Sequence, residues 1–175
     1  YEENIAQTRE IVKIAHCFGA TVEGEIGHVG DAQADNGDCP SDYTTPEEAV
    51  KYILDTGVDA LAIAIGTAHG AYKKKPKLDF ARLGKIREAT DTPLVLHGGS
   101  GTGDENLAKA VAVGIQKGGI AKVNIFTDLC LAGEQALKEG LDEKLSYLDI
   151  RNKKVERIKA EVKKKLKLFG SSGMV

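Results

Sequence analysis

Four short apolar runs, each followed by a stretch of helical periodicity, constrain this chain more than any other feature. The clearest run is Asp59–Ile65 (DALAIAI). It is apolar without alternation, as a strand covered on both faces of a parallel sheet must be. Ala20–Ile26, Pro93–Leu96 and Ala121–Ile125 read as three further strands. Between them, apolar residues recur at helical spacing over Asn4–Phe18, Thr45–Thr56, Leu78–Ala89 and Asp104–Val113. Thr45-Pro46-Glu47-Glu48 has the form of a helix start, with a capping hydroxyl, a proline and acids in the first turn. Gly19 and Gly57 stand where helices should stop. Beyond Ile125 the chain reads as helical, with Val155, Ile158, Val162 and Leu166 on one stripe.

Strands that alternate with helices build right-handed βαβ units on a parallel sheet. No GxGxxG follows the first strand, which argues against a dinucleotide-binding domain. The expected fold class is α/β, a (β/α)8 TIM barrel. Residues 1–175 would form roughly its C-terminal half, as part of a single domain. A half barrel leaves two open sheet edges and an uncovered apolar interior, so the isolated chain is expected to aggregate or to be completed by another chain.

Composition narrows the function. A net charge of −2 offers no basic field for nucleic acid. No apolar run approaches the roughly 18 residues of a membrane span. The opening Tyr1-Glu2-Glu3-Asn4 is acidic rather than signal-like, and Tyr1 in place of Met points to a processed or truncated chain. Cys17, Cys39 and Cys130 are odd in number and widely spaced, which argues against both a disulfide framework and a cysteine zinc site. A cytoplasmic setting is expected.

Active sites of such barrels lie at the carboxyl ends of the strands. Those ends carry Glu23 and Glu25, then His69, then His97 with Gly98-Gly99-Ser100-Gly101, then Asn124 with Thr127 and Asp128. Neutral imidazole suits zinc, and a catalytic zinc takes about three protein ligands, so two histidines supply part of a set. The competing reading makes each histidine a hydrogen-bonding loop residue; two of them at strand ends beside glycines favour the metal. The glycine turn before a helix can ring a phosphate with backbone N–H groups, although glycine turns also serve as plain connectors. Asn124–Thr127 adds a second loop where this architecture often binds phosphate. Glu23 and Glu25 share a strand face. They read equally well as metal ligands or groups that orient a ligand, and as a buried hydrogen-bonded pair or charges at a strand end. His16, His28, Lys73-Lys74-Lys75 and Lys163-Lys164-Lys165 read as structural or solvated. The long polar stretch Gly27–Thr44 has the length of a functional loop.

Four stretches carry a family resemblance: VEGEIGHVG (Val22 to Gly30), AIGTAHGAYK (Ala64 to Lys73), LVLHGGSG (Leu94 to Gly101) and KVNIFTD (Lys122 to Asp128). In order and spacing they resemble the class II aldolases, which include fructose-bisphosphate and tagatose-bisphosphate aldolases. The resemblance runs from near residue 1 to roughly residue 150. It implies that His69 and His97 are zinc ligands. It implies that Gly70, Gly98, Gly99, Ser100, Asn124, Ile125, Phe126 and Thr127 form the dihydroxyacetone-phosphate site. Zinc is the implied cofactor, acting as a Lewis acid in place of a Schiff-base lysine, with a monovalent cation as a second candidate. The implied reaction is reversible cleavage of fructose or tagatose 1,6-bisphosphate to dihydroxyacetone phosphate and glyceraldehyde 3-phosphate, by a homo-oligomer, dimer or tetramer. The family's catalytic aspartate and first histidine ligand belong to the N-terminal half. No Asp-His pair occurs here, so no catalytic residue is expected in this chain. Gln33 stands near the position of the family's mobile-loop glutamate, with Asp31 and Asp35 as substitutes. Two alternatives stand beside this reading: a non-catalytic accessory subunit or fragment that completes an aldolase barrel, and an aldolase for another phosphorylated keto-sugar acid.

Overall fold

The computed structural model describes residues 1–27, 30–31, 42–70, 72, 75–113 and 118–173, with residues 30, 31 and 69 described by backbone alone. His28, Gln33, Asp35, Lys73 and Lys74, singled out above, lie outside the described residues. The chain divides into two compact units, Tyr1–Asn124 and Ile125–Val175.

The first unit is the α/β body. Its elements are α1 (Glu2–Cys17), β1 (Glu23–Ile26), β2 (Gly30–Asp31), α2 (Pro46–Thr56), β3 (Ala60–Ile63), β4 (Ala68–His69), α3 (Phe80–Ala89), β5 (Leu94–Leu96), α4 (Asp104–Ala112) and β6 (Ile120–Val123). β1, β3, β5 and β6 form one parallel sheet in that order. Leu61, Leu94, Val95 and Leu96 are fully buried, as the unbroken apolar runs require. β2 and β4 form a separate parallel pair. That pair was not expected, since two-residue strands carry no periodic signal. β1 also begins at Glu23 rather than Ala20.

Register decides which side chains share a face. Glu25 pairs with Ala62, Ala62 with Val95, and Val95 with Lys122, so these four point the same way. Gly24 points the other way, toward α2, where a Cβ would come within 2.6 Å of the Tyr52 ring. Helix α2 therefore lies against the outer face, and Glu23, Glu25 and Lys122 belong to the inner one. A bulge shapes β6. Leu94 pairs with Ile120 but Val95 pairs with Lys122, so Ala121 is the extra residue. In a regular ladder of the same residues Ala121 would face Val95 and Lys122 would turn to the helix side.

Local chemistry sets the element ends. Thr45 accepts from the Glu48 amide, and the Glu48 carboxylate returns to Thr45, a complete capping box. Gly57 ends α2 in the left-handed conformation at φ 75°. Asp79 caps α3 through the Arg82 amide. Buried Thr44 bridges two strand ends: its hydroxyl donates to the Ile26 carbonyl and accepts from the Ala64 amide, both at 2.9 Å. His16 pairs with Asp59 at 2.9 Å, and Asp59 also accepts from the Val22 amide, which ties α1 to the starts of β1 and β3.

The second unit is a helix pair, α5 (Thr127–Asp142) and α6 (Tyr147–Leu168). Gly133 and Gly140 allow close approach to Lys154, Ile158 and Ile150. Of the expected apolar stripe, Ile158 faces α5, while Val155, Val162 and Leu166 are exposed. Lys165, expected on the helix surface, is buried and pairs with Asp128 at 2.9 Å and Glu161 at 3.4 Å. Two carboxylates balance the desolvated ammonium.

Two predictions concern the body of the complete protein. Leu61→Ala should destabilise it by about 2–5 kcal/mol in urea denaturation, because the fully buried site leaves a cavity. The hydrogen bond from His16, then that from the Val22 amide, holds the Asp59 carboxyl below its ordinary value of 3.8. A depressed carboxyl stabilises the fold above that ordinary value and loses its contribution as pH falls through the native one. Asp59→Asn should therefore lower stability near neutral pH, with the difference from wild type shrinking as pH falls below 3.8 and through the native value.

Candidate active site

The inner face gathers charged groups at one end of the sheet. Glu23 and Glu25 stand on β1, two residues apart and so on one side. His97 immediately follows β5, two residues beyond the inward Val95. Small residues at Ala60 and Ala62 on intervening β3 leave space for the longer side chains to meet.

His97 lies between the two carboxylates. Its Nε2 is 3.0 Å from Glu23 Oε1, and its Nδ1 is 3.4 Å from Glu25 Oε2. Lys122 Nζ donates to the second Glu23 oxygen at 2.7 Å. Burial pushes the Glu23 carboxyl up, but hydrogen bonds from Lys122 and His97 outweigh it and hold the group below the usual glutamate range. An ionised carboxylate can only accept, so Nε2 carries the hydrogen and the lone pair of a neutral ring falls on Nδ1. This is the arrangement by which a carboxylate orients a metal-binding imidazole.

The His69 backbone sits on β4, paired with Asp31 of β2. β4 runs against the glycine turn that follows His97. Gly98 has φ +64°, and a Cβ there would drive into the Ala68 carbonyl oxygen. Only glycine satisfies both the left-handed backbone and the contact. The structure thus brings the two histidine-bearing segments side by side.

The turn is held from three directions. The Gly99 amide donates to the Asn124 carbonyl at 3.2 Å, while the Asn124 amide donates to Leu96 at 2.9 Å. Thr102, fully buried, donates to the Gly99 carbonyl at 2.7 Å. Tyr72 reaches the Gly98 carbonyl at 3.0 Å. Gly99 and Ser100 are buried, and Gly70 ends the β4 segment. α4 begins with Asp104 and Glu105, whose charges disfavour an anion at that helix start. Any phosphate grip here must therefore come from the turn itself. Asn124 closes the first unit; Ile125, Phe126 and Thr127 open the second, where Phe126 is the N-cap of α5.

Three participants escaped the sequence reading: Lys122, Tyr72 and Thr102. Lys122 precedes Asn124 by two residues, but the bulge that turns it inward leaves no mark in composition. Tyr72 lies within the AHGAYK stretch, where its contact with a turn some thirty residues away leaves no local mark.

The described donors fit zinc in kind: an imidazole oriented by one carboxylate, with a second at its Nδ1. They fall short in number, since no cluster of three or more His, Cys, Asp or Glu side chains that could hold a metal ion occurs among the described residues. Among the described residues, no helix is long and apolar enough to cross a membrane.

Comparison with known proteins identifies the family and the fold. The family model for class II fructose-bisphosphate aldolase matches residues 1–174. The chain is 40% identical over 174 residues to the Escherichia coli (strain K12) protein YdjI, covering 99% of this chain and 60% of that one. It is 41% identical over 145 residues to the D-tagatose-1,6-bisphosphate aldolase subunit GatY of Klebsiella oxytoca, covering 82% of this chain and 49% of that one. The crystal structure of the YdjI aldolase from Escherichia coli K12 superimposes with a TM-score of 0.82 at 38% identity, over 99% of this chain and 58% of that one. The chain thus spans about half to three-fifths of the length of these relatives. Its parallel α/β sheet is consistent with a partial-length TIM barrel, and by family match, identity and fold alike the chain belongs to the class II fructose-bisphosphate aldolases.

Proposed function

We propose that the complete protein is a zinc-dependent ketose-bisphosphate aldolase, that residues 1–175 are the C-terminal portion of its single barrel domain, and that they supply the phosphate grip and two metal ligands. The reaction is cleavage of fructose or tagatose 1,6-bisphosphate to dihydroxyacetone phosphate and glyceraldehyde 3-phosphate. The observation that carries this reading is the placement of His97. A carboxylate orients its ring, and a glycine turn of the right form for phosphate follows directly.

In this reading His97 and His69 hold the metal. Zinc, when bound, supplies Lewis-acid polarisation of the ketone carbonyl. Glu23 fixes the His97 tautomer, and Lys122 keeps Glu23 ionised. Glu25 stands 3.4 Å from Nδ1. Backbone N–H groups of Gly98 and Ser100 and the Ser100 hydroxyl hold the phosphate, with Gly70 and Asn124 completing its surroundings. A phosphate fixed there orients the three-carbon half of the substrate against the strand ends, which converts binding into positioning. The proton-accepting aspartate and a further histidine ligand are assigned to the part of the protein outside residues 1–175. The sequence similarity to a tagatose-bisphosphate aldolase subunit supports the ketose-bisphosphate class. A homo-oligomer in the cytoplasm is part of the same proposal.

The test is zinc content together with cleavage of both bisphosphates by the complete protein. His97→Ala should lose bound zinc and at least about a hundredfold in kcat/KM, and His69→Ala should behave alike. Full activity in either variant would overturn the ligand assignment. Gly98→Ala should cost roughly 2 kcal/mol or more in denaturant unfolding, through the left-handed backbone and the collision with Ala68. A higher KM for the bisphosphate should accompany it.

A further inference from the structure

Tyr72 occupies a place that the metal and phosphate assignments leave unexplained. Its hydroxyl accepts from the Ala68 amide at 2.6 Å. It lies 2.8 Å from the Ala68 carbonyl and 3.0 Å from the Gly98 carbonyl, and can donate its single hydrogen to either. Its ring covers Gly101, where a Cβ would stand 3.0 Å from the ring edge. One side chain thus touches both ends of the Gly98–Gly101 turn and the strand residue before His69. Burial pushes the Tyr72 phenol up, so it remains a donor at neutral pH.

The arrangement matters because amides grip a phosphate only when their N–H vectors are fixed beforehand. The Gly98 and Gly101 backbones are left-handed, at φ +64° and +74°, in a segment rich in the most flexible residue type. Thr102 and Asn124 restrain Gly99. The Tyr72 hydroxyl ties the turn to the β4 segment, where Gly98 packs against the Ala68 backbone.

We propose that Tyr72 is a positioning residue for substrate phosphate, its hydroxyl locking the Gly98–Gly101 turn against the histidine-bearing strand β4. The inference rests on the aldolase reading above. It concerns affinity for the phosphate group rather than the bond-breaking step, so KM and phosphate binding should move while kcat stays.

The experiment uses the complete protein, wild type and Tyr72→Phe, with inorganic phosphate titrated calorimetrically and bisphosphate cleavage measured alongside. The Phe variant keeps the ring over Gly101 and removes only the hydroxyl. Its phosphate Kd and its KM should each rise about fivefold to tenfold, the worth of one hydrogen bond, with kcat within about twofold of wild type. Unchanged Kd and KM, or a fall in kcat at constant KM, would overturn the proposal. Should the Phe variant fail to fold, amide hydrogen exchange on the wild type decides. Phosphate should slow exchange at Ala68 together with Ser100, and slowing at Ser100 alone would overturn the proposal. A wild-type protein that neither binds phosphate nor cleaves a bisphosphate would sink the aldolase reading and Tyr72 with it. Wild-type binding with an indifferent Phe variant sinks Tyr72 alone.

Discussion

The parallel register of β1, β3, β5 and β6 is the constraint on which the site depends. Side chains of a parallel sheet alternate strictly, so a shift of one residue exchanges its faces. With Glu25, Ala62, Val95 and Lys122 in one row, the residues two positions away, Glu23 and His97, come to the same side. The charged network on the inner face follows from that row. The opposite face, with Leu61, Leu94 and Leu96, buries the apolar surface that holds the helices. Each strand thus serves stability with one face and chemistry with the other.

Electrostatics then fixes the roles of the inner groups. Glu23 is partly desolvated, which alone would favour its neutral form, yet Lys122 and His97 both donate to it. The balance leaves a carboxylate, and a carboxylate determines which nitrogen of His97 holds hydrogen. The tautomer of a residue on β5 is therefore governed by residues on β1 and β6. Close backbone packing supplies the second ingredient, since Gly98 admits the Ala68 carbonyl where any side chain would exclude it. The two histidine-bearing segments meet because that position carries no Cβ.

Much of the architecture was legible in the chain. The capping box at Thr45–Glu48 and the left-handed Gly57 bound α2 where the residues predicted. The unbroken apolar runs marked buried parallel strands because no polar residue interrupts them. The motifs at His97 and Asn124 lie one residue beyond β5 and β6, whereas His69 stands on β4, a short strand separate from the apolar run Asp59–Ile65 that it was expected to follow. The pairing of β2 with β4 was not legible, because it lies in two residues of each. The burial of Lys165 was hidden for a related reason. Its partner Asp128 lies far away in sequence, and a lysine run looks like a solvated surface until the carboxylate is in place.

By itself the sequence determined the element order, the parallel character of the sheet and the residue types available at each strand end. These depend on local propensity and on hydrophobic patterning, which are properties of neighbouring residues. Only the tertiary structure decided that Glu23 holds His97, that Lys122 turns inward, and that Tyr72 spans two backbone segments. Each depends on a contact between strands or on the single extra residue Ala121 in β6. A bulge changes the face of every side chain after it without changing any local pattern, so its consequence becomes visible only when the strands are paired.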